Sequence, residues 1–238
     1  MLTFPEIERA LVVTAHPDDV DFGAAGTVAM LTDAGVEVSY CIVTDGDAGG
    51  SDRAMARHDV AMLRRKEQTD AAKIVGVTQL FFLGYGDGRL QVTLQLRADI
   101  SAVIRRVRPR VVISQSPERN LDRIYASHPD HLAAAEATLC AVYPDARNPF
   151  AFPELFDEDL EPWAVDEVWV MTALNGPNPI DVTAAVDRKI AALMCHVSQH
   201  TDPQRTATMV REWMINAAKQ LGLPDGAAAE TFRVVDTR

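Results

Sequence analysis

A single α/β domain built on a mostly parallel, Rossmann-like sheet is the fold this sequence predicts, and three observations predict it. Short apolar runs rich in β-branched residues alternate with longer segments of helical pattern from the start of the chain. The first four of these runs are each followed by a loop dense in Asp, Gly and His. The 238 residues, 47% hydrophobic and 24% charged, are enough for one sizeable core, so 1–238 is read as one domain.

The elements follow in order. Leu11 to Ala15 reads as a buried strand, broken by the polar stretch His16 to Asp21. Gly23 to Ala34 reads as a helix with Gly35 placed to end it, and Val36 to Val43 as the second strand. The loop Thr44 to Gly50 leads into a long helix from Ala54 to Val75, closed by Gly76. Gln79 to Leu83 is the third strand, and Gly84 to Gly88 the turn after it. Thr93 to Val107 reads as a helix, Arg110 to Ser114 as the fourth strand, Gln115 to Ser127 as a polar loop and Pro129 to Ala141 as a helix. Tyr143 to Pro162, with four prolines and several acids, is an irregular excursion suited to a lid or a contact surface. Beyond it the pattern predicts a strand from Asp166 to Ala173, helices from Val182 to Val197 and Gln204 to Leu221, and a last strand from Phe232 to Val235. Parallel sheets of this kind bind their ligands beyond the carboxyl ends of the strands.

A net charge of −11 excludes nucleic acid and anionic membrane as partners, because both repel an acidic surface. The apolar run Ala10 to Ala15 is too short for a signal-peptide core or a membrane span, and no other stretch approaches about 18 apolar residues. Three scattered cysteines, Cys41, Cys140 and Cys195, fit reduced thiols in a cytoplasm. With no C-x-x-C pair, any metal must be held by His and carboxylate.

The loop after the first strand reads Ala15-His16-Pro17-Asp18-Asp19. His16 and Asp19 are three apart around a stiff proline, so both can face one point, and Asp18 is left beside it as a spare carboxylate. A metallohydrolase needs such a group to take a proton from water. Alone, this stretch could simply cap the next helix. The second cluster, Ser127-His128-Pro129-Asp130-His131, changes the balance, because it follows the fourth strand and opens a helix in the same way. Its two histidines offer one further metal ligand and one acid or base. Together the clusters supply the three protein ligands of an open catalytic zinc site.

With these motifs the chain resembles the LmbE-like or PIG-L-type metal-dependent N-deacetylases. The resemblance runs from about Leu11 to Gln199: A-H-P-D-D with its small-residue sequel, Thr44-Asp45-Gly46-Asp47-Ala48-Gly49, the helical set Arg64, Glu67, Ala71 and Gly76, the turn Leu83 to Gly88, the motif His128 to His131, and a late H-x-S-Q from His196 to Gln199. It implies that His16, Asp19 and His131 bind Zn2+ and that Asp18 is the general base. It further implies that a cationic His128, oriented by Asp130, serves the oxyanion and the leaving amine. Arg64 and Asp87 look like the positions that in relatives hold sugar hydroxyls or a nearby polar group. The implied reaction is removal of an N-acyl group, acetyl above all, from an amino-sugar compound such as an N-acetylglucosamine conjugate. Homo-oligomers, hexamers among them, occur in relatives. A tyrosine that some sugar-thiol deacetylases carry two residues before the first His of the second motif is Ala126 here, with Tyr125 beside it.

Other features carry less. His58 lies in the charged long helix on an expected solvated face, and Gly23 to Gly26 lacks the third glycine of a dinucleotide fingerprint. Asp45 and Asp47 read as loop or substrate contacts, and His196 as either a structural histidine or a member of the late motif. The rival functions are a metal-dependent hydrolase of another bond, such as a phosphoester, and a metal-binding protein without turnover.

Overall fold

The computed structural model describes residues 1–50, 52–122, 124–171 and 178–238. Among them one sheet holds β1 Arg9–Thr14, β2 Glu37–Thr44, β3 Gln79–Tyr85, β4 Val111–Ser114, β5 Glu167–Met171, β6 Asn178–Asp181 and β7 Ala229–Asp236, in the order β3-β2-β1-β4-β5-β7-β6. Strands β1 to β5 are mutually parallel, and β7 runs antiparallel between β5 and β6. The helices are α1 Asp19–Gly23, α2 Ala25–Asp33, α3 Arg57–Ile74, α4 Leu94–Val107, α5 Pro129–Cys140, α6 Val186–Leu193 and α7 Pro203–Gln220. None is long and apolar enough to cross a membrane.

The continuous apolar run of β1 is explained by burial on both faces. Val12 packs with Tyr40, Ile113 and Trp169 beneath α2 and α6, while Leu11 and Val13 pack with Val112, Ile104 and Ala134 beneath α4 and α5. The strand order reverses between β1 and β4, where Val13 pairs with Ser114. A crevice opens at that point beyond the carboxyl ends. Gly35 and Gly76 end α2 and α3 with φ of 86° and 84°, the left-handed turns expected of them.

The structure departs from the sequence reading in four places. The helix expected from Gly23 to Ala34 is two helices, α1 and α2, with a break at Ala24, whose φ is −143°. No local side chain caps α2. Its first amides donate instead to Glu230 of β7, Gly26 N at 2.9 Å and Thr27 N at 2.7 Å. The last strand therefore begins at Ala229, before the apolar run that marked it in sequence. Strand β6 was not anticipated, because it is short and contains Pro179, which confines it to the sheet edge. The expected helix from Val182 shrinks to α6 after a turn at Thr183–Ala185, and the expected strand end at residues 172 and 173 lies outside the described residues.

The excursion 143–162 is irregular, and it is fastened to the body of the domain. Arg105 of α4, 1% exposed, donates to the carbonyls of Asp145, Ala146, Asn148, Ala151 and Leu160. Trp163 Nε1 donates to Pro109 O at 2.7 Å, and Arg147 donates to Val165 O. Pro109 and Val165 precede β4 and β5, so the segment is fastened at the amino ends of the strands, away from the crevice. Replacing Arg105 with Ala strands several buried carbonyls and is expected to destabilise the fold by about 3 kcal/mol. Urea denaturation measures that loss. The kcat of the protein that remains folded should not change.

Candidate functional site

The two sequence clusters meet in the crevice. Thr14 ends β1, and the amide of Ala15 donates to Gln115 Oε1 at 2.9 Å, tying the β1 loop to the β4 loop. Across that junction His16 Nδ1 lies 3.2 Å from His131 Nε2 and 3.2 Å from Asp19 Oδ2, and His131 Nε2 lies 3.1 Å from Asp19 Oδ1. Three donor groups thus close a small triangle. His128 is adjacent, its ring centroid 4.9 Å from that of His16, and a nitrogen from each of His16, His128 and His131 falls within 4.8 Å of the others.

Local sequence explains the placement. His128 is the N-cap of α5, accepting the Asp130 amide on Nδ1 at 3.2 Å, and Pro129 takes the first helical position, where its missing N–H costs nothing. This sets His131 on the first turn, facing the crevice. Asp19 opens α1, and its carboxylate accepts the His16 amide at 2.7 Å. Asp18, the N-cap of α1, adopts φ 91°, a left-handed conformation costly for Asp unless its surroundings impose it.

They do. The Asp18 amide donates to Gln68 Oε1 at 2.8 Å, and Asp18 Oδ2 accepts from Arg64 Nη2 at 3.1 Å. Gln68 in turn donates to Asp21 Oδ2 at 3.0 Å, which also meets His196 Nε2 at 2.8 Å, with Asp21, Gln68 and His196 fully buried. Glu67 accepts the Ser198 amide and hydroxyl. One face of α3, formed by Arg64, Glu67 and Gln68, therefore clamps both the loop after β1 and the late turn. The sequence reading missed Gln68 and Asp21. The signal for Gln68 was its position four residues after Arg64, on the same helical face.

Asp130 and Asp87 stand elsewhere than expected. Asp130 accepts the amides of Gly88 at 2.7 Å and Leu90 at 3.1 Å, and its Oδ2 lies 3.1 Å from His16 Nε2. Its carboxylate thus backs His16, and only its amide reaches His128. The contact expected between Asp130 and His128 thus runs through the Asp130 amide and not its carboxylate, although the carboxylate still favours the His128 charge. Burial and the neighbouring His16 charge hold the His128 pKa below its ordinary value. Asp87 Oδ1 lies 3.2 Å from His16 Nε2, making it a second partner of that ring. Arg64, expected as a substrate contact, is 4% exposed and also donates to Pro17 O and Gly46 O. Asp47 accepts the Asp87 amide, Asp45 pairs with Arg65, His58 is exposed on α3, and Tyr125 is exposed.

The charges are strongly coupled. Burial disfavours a charged His16, but Asp19, Asp130 and Asp87 outweigh it and raise the imidazole pKa to about 12. Burial works against the His131 charge too, and Asp19 overrides it, raising that pKa. Asp19 is held well below the carboxylate range by His131 and His16 despite its burial. Asp18 goes the other way: burial raises it to about 6, with Asp19 adding to the rise and Arg64 opposing it. The site gathers four carboxylates, Asp18, Asp19, Asp87 and Asp130, around the His16 and His131 rings, with Asp18 poised near neutrality.

The PIG-L family, described as GlcNAc-PI de-N-acetylase, matches residues 11–142. The diacetylchitobiose deacetylase of Thermococcus kodakarensis is 31% identical over 196 residues, covering 82% of this chain and 72% of that protein. A probable N-acetyl-α-D-glucosaminyl L-malate deacetylase 2 of Bacillus cereus is 32% identical over 199 residues, covering 80% of this chain and 83% of its own. Among solved structures, the N,N'-diacetylchitobiose deacetylase from Pyrococcus horikoshii in complex with its inhibitor superposes with a TM-score of 0.89 at 27% identity, covering 98% of this chain and 86% of that one.

Proposed function

The chain belongs to the PIG-L, GlcNAc-PI de-N-acetylase family, and from that premise we propose that it is a zinc-dependent hydrolase removing an N-acyl group, acetyl in the simplest case, from an amino-sugar compound. The observation that carries the proposal is the triangle of His16, Asp19 and His131 donors with the spare carboxylate of Asp18 beside it. The names of the relatives, deacetylases of diacetylchitobiose and of a glucosaminyl malate, support the amino-sugar class. Three free thiols, Cys41, Cys140 and Cys195, suit a reducing compartment, and we place the enzyme in the cytoplasm.

The residues fit zinc. Tetrahedral ligands about 2.0–2.1 Å from the ion stand roughly 3.3 Å apart, and the donor contacts here are 3.1–3.2 Å. His16 Nδ1, Asp19 and His131 Nε2 would hold the ion, with Asp130 and Asp87 on the far nitrogen of His16 as the carboxylate backing that orients such a ligand. When bound, zinc supplies Lewis acidity to the amide carbonyl and to water. Asp18 takes the proton of the attacking water on Oδ1, since Oδ2 is engaged by Arg64. Its raised pKa suits a base working near neutral pH. With His128 Nδ1 occupied by the Asp130 amide, Nε2 is the atom that donates a hydrogen bond to the developing oxyanion, and the departing amine takes up the proton that Asp18 accepted from water.

Acetate release from N-acetylglucosamine glycosides by zinc-loaded protein, run beside phosphate release from a generic phosphodiester, tests this reading. Acetate without phosphate is expected. Phosphate alone would assign another bond, and neither product would leave a binding protein. Asp87→Ala separates the two roles open to that residue. Because Asp87 backs His16, the variant is expected to weaken metal binding about 10–100-fold. A rise in KM at unchanged zinc affinity would return Asp87 to substrate binding alone.

A further inference from the structure

Beside the donor triangle lies a cavity of about 430 Å³ that the chemistry above does not use. Asp19 and His131 line it, and Phe22, Met171, Val210, Trp213, Met214 and Ala217 contribute its large apolar surface. Its charged members are already spent: Lys189, 1% exposed, donates to Glu230 at 2.6 Å and to Phe22 O at 2.7 Å, and Glu230 also caps α2. An acetyl methyl group needs roughly the ~30 Å³ share of one water molecule, far less than this space. Cavities of about 300–1,000 Å³ with apolar walls are the usual size of small-molecule sites.

The two sides of the centre differ in chemistry. Asp18, Arg64, Asp87 and His128 do not line the cavity, whereas two of the three donor residues do. The scissile amide must present its nitrogen to the proton-donating and proton-accepting groups, so its sugar lies on their side. The acyl substituent then points across the donor triangle into the apolar space. We propose, on the footing of the N-deacylase reading above, that this cavity is an acyl-chain pocket and that the enzyme hydrolyses amino-sugar amides of straight-chain fatty acids well beyond acetyl. Water adds its oxygen to the carbonyl carbon, the C–N bond breaks, and the amine leaves with a proton. The products are the fatty carboxylate and the free amino sugar.

The experiment uses full-length zinc-loaded protein and one methyl glucosaminide acylated with acetyl, butyryl, hexanoyl or octanoyl, together with N-acetylated octyl glucosaminide, following free amine. Burial of each methylene should raise kcat/KM about fourfold from acetyl to hexanoyl, with no comparable gain for the octyl glycoside. Ala217→Phe and Val210→Phe, checked for native folding by circular dichroism, should each cut the hexanoyl-to-acetyl ratio of kcat/KM by about tenfold, as lost methylene burial predicts. Ala217 is only partly buried and tolerates the larger side chain better, so a misfolded Val210 variant leaves the comparison intact. A wild-type enzyme that cleaves acetyl but not hexanoyl overturns the acyl pocket and leaves the deacetylase reading standing. A gain confined to the octyl glycoside assigns the cavity to the aglycone instead and also overturns it. Failure to cleave any member of the series overturns both readings.

Discussion

Asp18→Asn is expected to keep its metal and to lose about 10²–10⁴-fold in kcat, the range for removing a general base. The wild-type rate should climb as pH rises through about 6, because burial holds the Asp18 proton up to that pH and the carboxylate is a base only once the proton has left. The variant has no such group and should lack that acidic limb. Added zinc should not restore it, since Asp18 makes none of the donor contacts of the triangle. A pH–rate profile from about 5 to 8 with metal analysis on the same samples reads both effects. A metal-depleted Asp18→Asn that recovers with zinc would move Asp18 into the ligand set.

His131→Ala and Asp19→Asn are expected to fail in the opposite manner, losing metal first and activity as a consequence, with partial recovery in excess zinc. Each removes one corner of the triangle. The same geometry gives zinc affinity a pH dependence of definite sign. In the metal-free protein the carboxylates of Asp19, Asp130 and Asp87 hold His16 protonated up to about pH 12. Occupation of Nδ1 must displace a proton throughout the neutral range, and His131, whose pKa is also raised, adds to that release, so zinc should bind at least about tenfold more tightly per pH unit. Calorimetric titration at several pH values checks this. Affinity independent of pH would mean that His16 is not a ligand.

The parts of this molecule that were legible in sequence are those fixed by local physics. Leu11 to Ala15 could be read as a buried strand because burial on both faces leaves an unbroken apolar run, and Gly35 and Gly76 marked helix ends because each adopts the left-handed turn that favours glycine. The two His-Pro-Asp clusters could be paired because each follows a strand bordering the switch point. Contacts distant in sequence were not legible. Glu230 caps α2 from the last strand, so nothing near Ala24 announces that helix start. Asp130 was paired with His128, its close neighbour in sequence, whereas its carboxylate turns to His16, 114 positions away. Arg105 fastens the excursion at the far end of the sheet by five carbonyls, which proline content alone could not reveal.

Two clusters share His16 through different nitrogens: Asp19 and His131 gather at Nδ1, and Asp87 and Asp130 at Nε2. Anomalous scattering at the zinc edge from crystals of the metal-loaded protein distinguishes them. The account predicts one strong peak per chain, within bonding distance of His16 Nδ1, Asp19 and His131 Nε2. A peak between His16 Nε2, Asp87 and Asp130, or no ordered peak in a zinc-saturated crystal, would contradict it.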